Sequence, residues 1–349
     1  MSLDPSRRDS TGTAASPAPP SDPIGTAPEP SAGGTAPRAA VDWRLKFLLL
    51  ALVWGTSFMF IGISGQYLEP VQITLGRMLT GVVPLAGFLL LSGSRLPRGA
   101  RIWFHLSVTA FIVNLVPFTF YGYAGQLIPS AVSGIVNAAT PLFVVLFSLL
   151  LLPDERPTRT RTAGLLVGFL GVLVVFGVWT GFAGASAAGL LMALGATVGY
   201  GIGTPYLRRF VAGSGYSSLE LVTAQLLTGT VQIAVVALVF TDAPQELPPH
   251  AVAAVTALGV FGTGAAFLLQ YGVIREAGVT VASTVTYLAP IVAIGAGVLL
   301  MGEHLAWNQP VGALVVIAGA ALAQHHRRTG AQPPGAAGGA PAGTRAPGR

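Results

Sequence analysis

The chain lacks cysteine, has a single lysine (Lys46) and carries little charge of either sign. With no cysteine among 349 residues, disulfides, thiolate metal sites and a cysteine nucleophile are excluded. Charged residues make up 9% of the chain and hydrophobic ones 52%, whereas a soluble globular protein is roughly 25% charged. A mean hydropathy of +0.68 takes the deficit beyond what a large soluble core explains. The remaining charge leans basic, with 19 Lys+Arg against 13 Asp+Glu. Such a balance can mark a nucleic-acid protein. Here the basic residues sit in tails and short loops, so nucleic acid is excluded as a partner. No Asp, Glu or His lies deep in an apolar run, so the group a proton-coupled carrier loads and releases is missing. A phosphate-cradling glycine loop with its lysine, paired carboxylates and metal-ligand clusters are also absent. ATP as driving force, a metal and a cofactor are therefore not expected. The dominance of Arg over Lys, with heavy Ala and Gly use, points to a GC-rich, bacterial genome.

What is present is a series of apolar runs at 45–64, 71–92, 103–123, 129–152, 162–180, 186–207, 218–240, 250–273, 279–301 and 308–325. Each approaches the roughly 20 residues of a spanning helix, and the period-2 alternation of a β-barrel is missing. The expected class is an all-α integral membrane protein with ten transmembrane helices. The sixth run, rich in Gly, and the short tenth leave nine or eleven spans open on length alone. Residues 1–43 and 327–349 are rich in Pro, Ala, Gly, Ser and Thr and are expected to be disordered tails. Ser6-Arg7-Arg8 lacks the apolar stretch of a twin-arginine signal.

Charge placement fixes an orientation. With the N-terminus inside, eighteen of the 19 Lys+Arg fall on the cytoplasmic side of a ten-span chain. The nineteenth, Arg77, is within a span. The outer loops hold Glu69, Asp242, Glu246, His250 and Glu303 instead. A positive-inside bias this complete favours ten spans, because one miscounted span would scatter the later arginines to both sides. Both termini are then cytoplasmic and the membrane is the cell membrane.

The chain also repeats. Ala139-Thr140-Pro141-Leu142 matches Leu288-Ala289-Pro290-Ile291. Glu155 and Glu303 follow the two prolines at similar distances. Gly164 and Gly171 match Gly312 and Gly319, and Tyr121-Gly122 is paired with Tyr271-Gly272. The copies, 44–180 and 181–326, hold five spans each. Five is odd, so the second copy enters the membrane upside down. An inverted repeat can exchange the conformations of its halves and so face either side in turn, the geometry of alternating access.

On these features the sequence resembles the drug/metabolite transporter superfamily in its EamA-type branch, over about 44–325. Trp54-Gly55-Thr56-Ser57-Phe58, Pro70, Arg77 and the two copies of Pro, acidic loop and paired Gly carry the resemblance. The family reads Gly-Glu after the fourth and ninth spans; Gly302-Glu303 keeps it, while Pro153-Asp154-Glu155 replaces it with one residue inserted. The resemblance implies ten helices, termini inside, and export or exchange of amino acids, other metabolites or toxic compounds. The partners implied are a small-molecule solute and the lipid bilayer, with a homodimer left open.

The expected substrate pathway is drawn from Trp54, Arg77, Tyr121, Asn137, Tyr200, Tyr271 and Tyr287, because an amphipathic solute needs a mostly apolar cavity with a few placed polar groups. Arg77 reads either as the anchor of a substrate carboxylate or as a structural arginine bonded to backbone carbonyls. Pro117, Pro141 and Pro290 lie within spans and free carbonyls one turn earlier; they read as kinks or as paired gates. Two rival functions stand beside transport: an intramembrane lipid-modifying enzyme, which needs a polar catalytic cluster, and a non-transporting membrane partner or sensor, which needs a folded soluble domain.

Overall fold

A computed structural model describes residues 42–152, 158–180 and 186–325. Most of both tails and the Pro153-Asp154-Glu155 loop lie outside the described residues; Asp42 and Trp43 open the first helix. Among the described residues all regular structure is helical. The helices are α1 (Trp43–Ser64), α2 (Pro70–Leu91), α3 (Ala100–Leu127), α4 (Ser130–Leu151), α5 (Arg159–Phe176), α6 (Ala187–Phe210) and α7 (Ser218–Phe240). Then come α8, through Pro249–Gly259, Val260–Ala265 and Ala266–Ser283, and finally α9 (Val285–Met301) and α10 (Asn308–His325). Eight, α1 to α8, are long and apolar enough to cross a bilayer, and α9 and α10 are shorter apolar helices. Leu90, Leu238 and Leu299 are largely exposed, the reverse of what a water-facing surface tolerates over a wide area.

Local chemistry sets the helix ends. The Asp42 carboxylate accepts from Arg44 N at 2.9 Å. Glu69 with Gln72 opens α2 as a capping box, and Ser217 with Glu220 opens α7 the same way; each box satisfies amide donors that a helix start leaves bare. Both reach further. Gln72 Nε2 donates to Asp242 O at 2.8 Å, and Glu220 Oε1 accepts from Arg95 N at 3.4 Å. Gly177 and Gly302 end α5 and α9 in left-handed conformation, with φ of +59° and +66°, which costs a glycine little.

Packing follows a pseudo-two-fold. A Cβ on Gly164 would meet Ala323, and one on Gly312 would meet Val175; Gly171 faces Val316, and Gly319 faces Gly168. Each step up α5 is a step down α10, so these two equivalent helices run antiparallel in close contact and the copies are inverted. Other contacts are reciprocal too. Gly55 of α1 faces Val292 of α9 as Gly201 of α6 faces Phe143 of α4; Gly81 of α2 faces Gly259 of α8 as Gly229 of α7 faces Ala110 of α3. Small residues at these crossings let backbones approach where lipid supplies no hydrophobic drive.

The reciprocal contacts correct one pairing. Phe118 and Phe267, Pro141 and Pro290, and Phe143 and Val292 are each 149 residues apart. Gly122 packs on Pro70, which opens α2, and Tyr271 bonds to Ser218, which opens α7. The mate of Tyr271 is thus Gly122, and that of Tyr121 is Gln270. Pairing the tyrosines slips by one residue, about 100° around a helix. The α8–α9 junction differs from expectation as well. Pro129 precedes α4 and keeps α3 and α4 apart, whereas Gly278 holds the equivalent place; α8 continues to Ser283 and breaks at Thr284.

Candidate functional site

In α3 and α8 the helix widens to π geometry at equivalent points, Phe111–Leu115 and Val260–Ala265. In α3 the cause is visible: Pro117 has no N–H, so an upstream carbonyl loses its partner. In α8 the mate of Pro117 is Ala266, so no proline follows the bulge. Glycine does the work there, with Gly264 leaving room for the ring of Pro84 in α2. Such bulges redirect one side chain out of helical register and recur at functional sites.

Each bulge presents one polar acceptor to the neighbouring helix. From α3, Asn114 Oδ1 accepts from Gln225 Nε2 of α7 at 2.6 Å. From α8, Thr263 Oγ1 accepts from Arg77 Nε of α2 at 2.8 Å. The two bonds are symmetry mates. Arg77 is 8% exposed, and its guanidinium carbon lies 3.6 Å from the centre of the Phe118 ring, a cation–π contact strengthened by the dry surroundings. Two ion pairs occur among the described residues, Arg44–Asp42 and Lys46–Glu276, and neither involves Arg77. Its two terminal nitrogens have no hydrogen-bond partner among the described residues.

Beside Arg77 stands Tyr200 of α6, within electrostatic reach of the guanidinium. The Tyr200 ring stacks on Tyr121 with centroids 6.2 Å apart, and the edge of Phe58 meets Tyr121 at 5.1 Å. Tyr121 is 2% exposed; its hydroxyl donates to Asn137 Oδ1 at 3.0 Å and lies 2.9 Å from Thr197 Oγ1. Asn137 ends the first half of α4, just before the break at Ala138-Ala139, and its Oδ1 also accepts from Thr140 Oγ1 at 3.2 Å. The structure thus joins Arg77, Tyr121, Asn137 and Tyr200 through one chain of contacts. Three groups in it have no hydrogen-bond partner among the described residues: the Arg77 terminal nitrogens, the Tyr200 hydroxyl and the Asn137 amide nitrogen. All can donate.

Of the other expected pathway residues, Tyr271 packs with Tyr200 on the apolar cluster that holds Phe118, Tyr287 packs on the one that holds Phe58 and Tyr121, and Trp54 packs on a separate cluster of Leu50, Ala51, Ala266 and Val285. The Tyr271 hydroxyl donates to Ser218 O at 2.8 Å, and the Tyr287 hydroxyl donates to Gln324 Oε1 at 2.9 Å, linking α9 to α10. Pro117 follows the π turn. Pro141 opens the second half of α4, but its mate Pro290 stands inside α9. The sequence marked Phe58 only as part of a family motif and gave no sign of Phe118, Thr197 or Thr263, beyond the run Gly262-Thr263-Gly264 for the last.

Two cavities of about 460 Å³ each flank the chain of contacts at opposite ends of α3. One lies among Gly62, Gln66, Gln126, Ser130 and Glu303. There the Glu303 carboxylate accepts from Ser130 N at 2.7 Å and Ala131 N at 2.9 Å, holding the positive start of α4. The other lies at the start of α3 and the end of α6. Among the described residues no group of three metal-type ligands occurs.

Comparison with known proteins agrees with this architecture. The profile of the EamA-like transporter family matches twice, at residues 43–177 and 187–323. The uncharacterized transporter YoaV of Bacillus subtilis is 23% identical over 80% of this chain and 95% of its own. Protein PecM of Dickeya dadantii is 25% identical over 78% and 89%, and the uncharacterized inner membrane transporter YedA of Escherichia coli is 24% identical over 73% and 82%. A crystal structure superposes with a TM-score of 0.58 at 24% identity, covering 82% of this chain and 98% of the other, which supports the fold.

Proposed function

The chain belongs to the EamA-like transporter family, and from that premise we propose that it is a ten-span carrier of a small organic metabolite. Two inverted five-helix repeats, 44–180 and 181–326, expose the Arg77–Tyr200–Tyr121–Asn137 cluster to either side of the cytoplasmic membrane in turn, and both termini lie in the cytoplasm. The work is export or facilitated exchange of an amino acid or similar solute.

One observation carries the substrate class: a buried guanidinium with no carboxylate partner among the described residues, beside a hydroxyl and an amide nitrogen that are also unspent. An array of donors around one cation suits a carboxylate, and the planar fork of arginine suits it better than a point charge. The aromatic faces of Phe58, Phe118 and Tyr200 suit an apolar side chain. His105 and Glu276 lie near helix ends rather than at the cluster, so transport runs without a proton gradient.

The test is flux of radiolabelled amino acids and related acids into liposomes holding the purified protein, at equal pH on both sides. Uptake down the solute's own gradient, with counterflow, is expected. Uptake that is concentrative only with a proton gradient and vanishes with an uncoupler refutes the coupling. No flux of any amino or organic acid refutes the substrate class. An outside-active reporter fused after Arg328 stays silent if the termini are cytoplasmic, and one inserted near Asp242 is active.

A further inference from the structure

The cavity of about 460 Å³ at the start of α3 has a charge pattern that the carrier cluster leaves unused. Arg98, Arg101 and Arg209 line it together with His105, Phe210 and Tyr216. No carboxylate pairs with these arginines among the described residues. Among the described residues Glu220 is taken up by the capping box, accepting from Ser217 N at 2.8 Å and Arg95 N at 3.4 Å. The cavity wall is built rather than loose. His105 lies flat against Phe210, with centroids 5.0 Å apart and planes within 9°, and its Nδ1 is 2.9 Å from the Tyr206 hydroxyl. Arg209 is fixed by its bond to Leu151 O at 2.7 Å. The Tyr216 hydroxyl pins the α2–α3 connection, accepting from Arg98 N at 2.9 Å and donating to Arg98 O at 3.0 Å.

The symmetry supplies a control. At the equivalent place in the other copy His250 stands for Arg101, its ring 4.9 Å from that of Tyr67, and the segment around Arg98 is replaced by one bearing Glu246. The mates of Arg98, Arg101 and Arg209 there are Leu247, His250 and Ile63, none of them an arginine. Fold alone therefore does not demand them. Just along α3 from the cavity, Phe104 and Phe111 are more than half exposed, which places apolar surface directly beside the cationic crevice.

We infer that this crevice binds an anionic phospholipid, with its phosphate among Arg98, Arg101 and Arg209 and its acyl chains along Phe104 and Phe111. Basic pockets between membrane helices take such headgroups where the leaflet carries negative lipid. Phosphate is the shared chemistry with a free phosphorylated solute. The exposed phenyl rings assign it to a lipid, since a soluble ester gains nothing from them.

The test uses the full chain purified in a neutral detergent. Binding of phosphatidylglycerol and of phosphatidylcholine with the same chains is read by native mass spectrometry and by the shift in melting temperature. Arg98→Gln and Arg101→Gln remove side chains that hold no internal hydrogen bond among the described residues, so the double variant folds. Saturable binding that prefers phosphatidylglycerol is expected. Each arginine contributes about five-fold, so the double variant binds about twenty-five-fold more weakly. Equal binding of the two lipids overturns the inference, as does a double variant that binds phosphatidylglycerol like the parent. Glycerol phosphate that competes as well as the lipid makes this a solute site and overturns it too.

Discussion

Two helix crossings related by the pseudo-two-fold carry different chemistry. Gln225 of α7 reaches the bulge in α3 and bonds to Asn114; Arg77 of α2 reaches the bulge in α8 and bonds to Thr263. Both sit on the same scaffold, next to the same close approach of small residues: Gly229 on Ala110 in one, Gly81 on Gly259 in the other. The neutral crossing is closed upon itself, both amides being nearly or wholly buried, and Asn114 Nδ2 is left unbonded. The charged crossing spends one nitrogen on protein and leaves two. A duplicated fold needs a polar bond at both crossings to hold the bulges in place. A cation stands at only one, and that asymmetry is the ground for the substrate role proposed for Arg77.

Making the two crossings alike tests this with the largest effect. Arg77→Gln reproduces the neutral partner and keeps a donor for Thr263, so the variant folds; substrate affinity falls about ten- to a hundred-fold, the worth of a charge-assisted hydrogen bond of about 1.5–3 kcal/mol. Arg77→Lys keeps the charge but loses the planar fork and falls in between. Equilibrium binding in detergent and flux in liposomes measure both. Folded variants that bind and transport like the parent remove Arg77 from the substrate path.

Where the copies agree, substitutions at mates have matching effects. Gly164→Ala drives a Cβ into the backbone of Ala323, and Gly312→Ala drives one into that of Val175. Each costs about 1–3 kcal/mol, the usual range for overpacking. Gly87→Ala, with open space around it, is the control and leaves the melting temperature nearly unchanged. Unequal losses at Gly164 and Gly312 break the symmetric reading of the α5–α10 contact.

The neutral crossing is expected to matter for stability alone. Gln225→Leu strands Asn114 with neither amide atom bonded, at about 1–3 kcal/mol. Adding Asn114→Leu removes the stranded group and recovers most of that loss, while flux stays at the parental level throughout. Melting curves of the single and double variants, paired with flux, decide it.

Most of the fold was legible because hydropathy and charge act over whole helices. Runs such as 218–240 coincide with the observed helix, and Gly-x6-Gly marked both partners of the α5–α10 contact. What escaped depends on single residues. Nothing in Gly262-Thr263-Gly264 announces a π turn, since its cause lies in the packing of Pro84 from another helix. Thr197 and Thr263 are residue types that bond their own helix backbone throughout this chain, as Thr74 and Thr223 do, so their role across helices is invisible until the neighbours are in place. Arg77 was found because a lone charge in an apolar run is costly wherever it points. Its aromatic partner Phe118, one phenylalanine among 17, gave no such signal.

The smallest effect concerns the two tyrosines that neighbour each other in the repeat alignment. Tyr121 bridges Asn137 and Thr197 at the cluster, and Tyr271, turned by one residue, donates to Ser218 O near the start of α7. Tyr271→Phe loses one neutral hydrogen bond, about 0.5–1.5 kcal/mol, and leaves flux unchanged. Tyr121→Phe has a similar cost in stability, because its ring contacts with Phe58 and Tyr200 survive. It also leaves Asn137 held by Thr140 alone, which loosens its amide within the donor array, so affinity for an acidic solute drops several-fold. The pair separates stability from binding at matched chemical change: each variant deletes one hydroxyl from one tyrosine. If Tyr271→Phe lowers affinity as much as Tyr121→Phe does, Tyr271 lines the path after all, and the one-residue slip between the copies has no functional consequence.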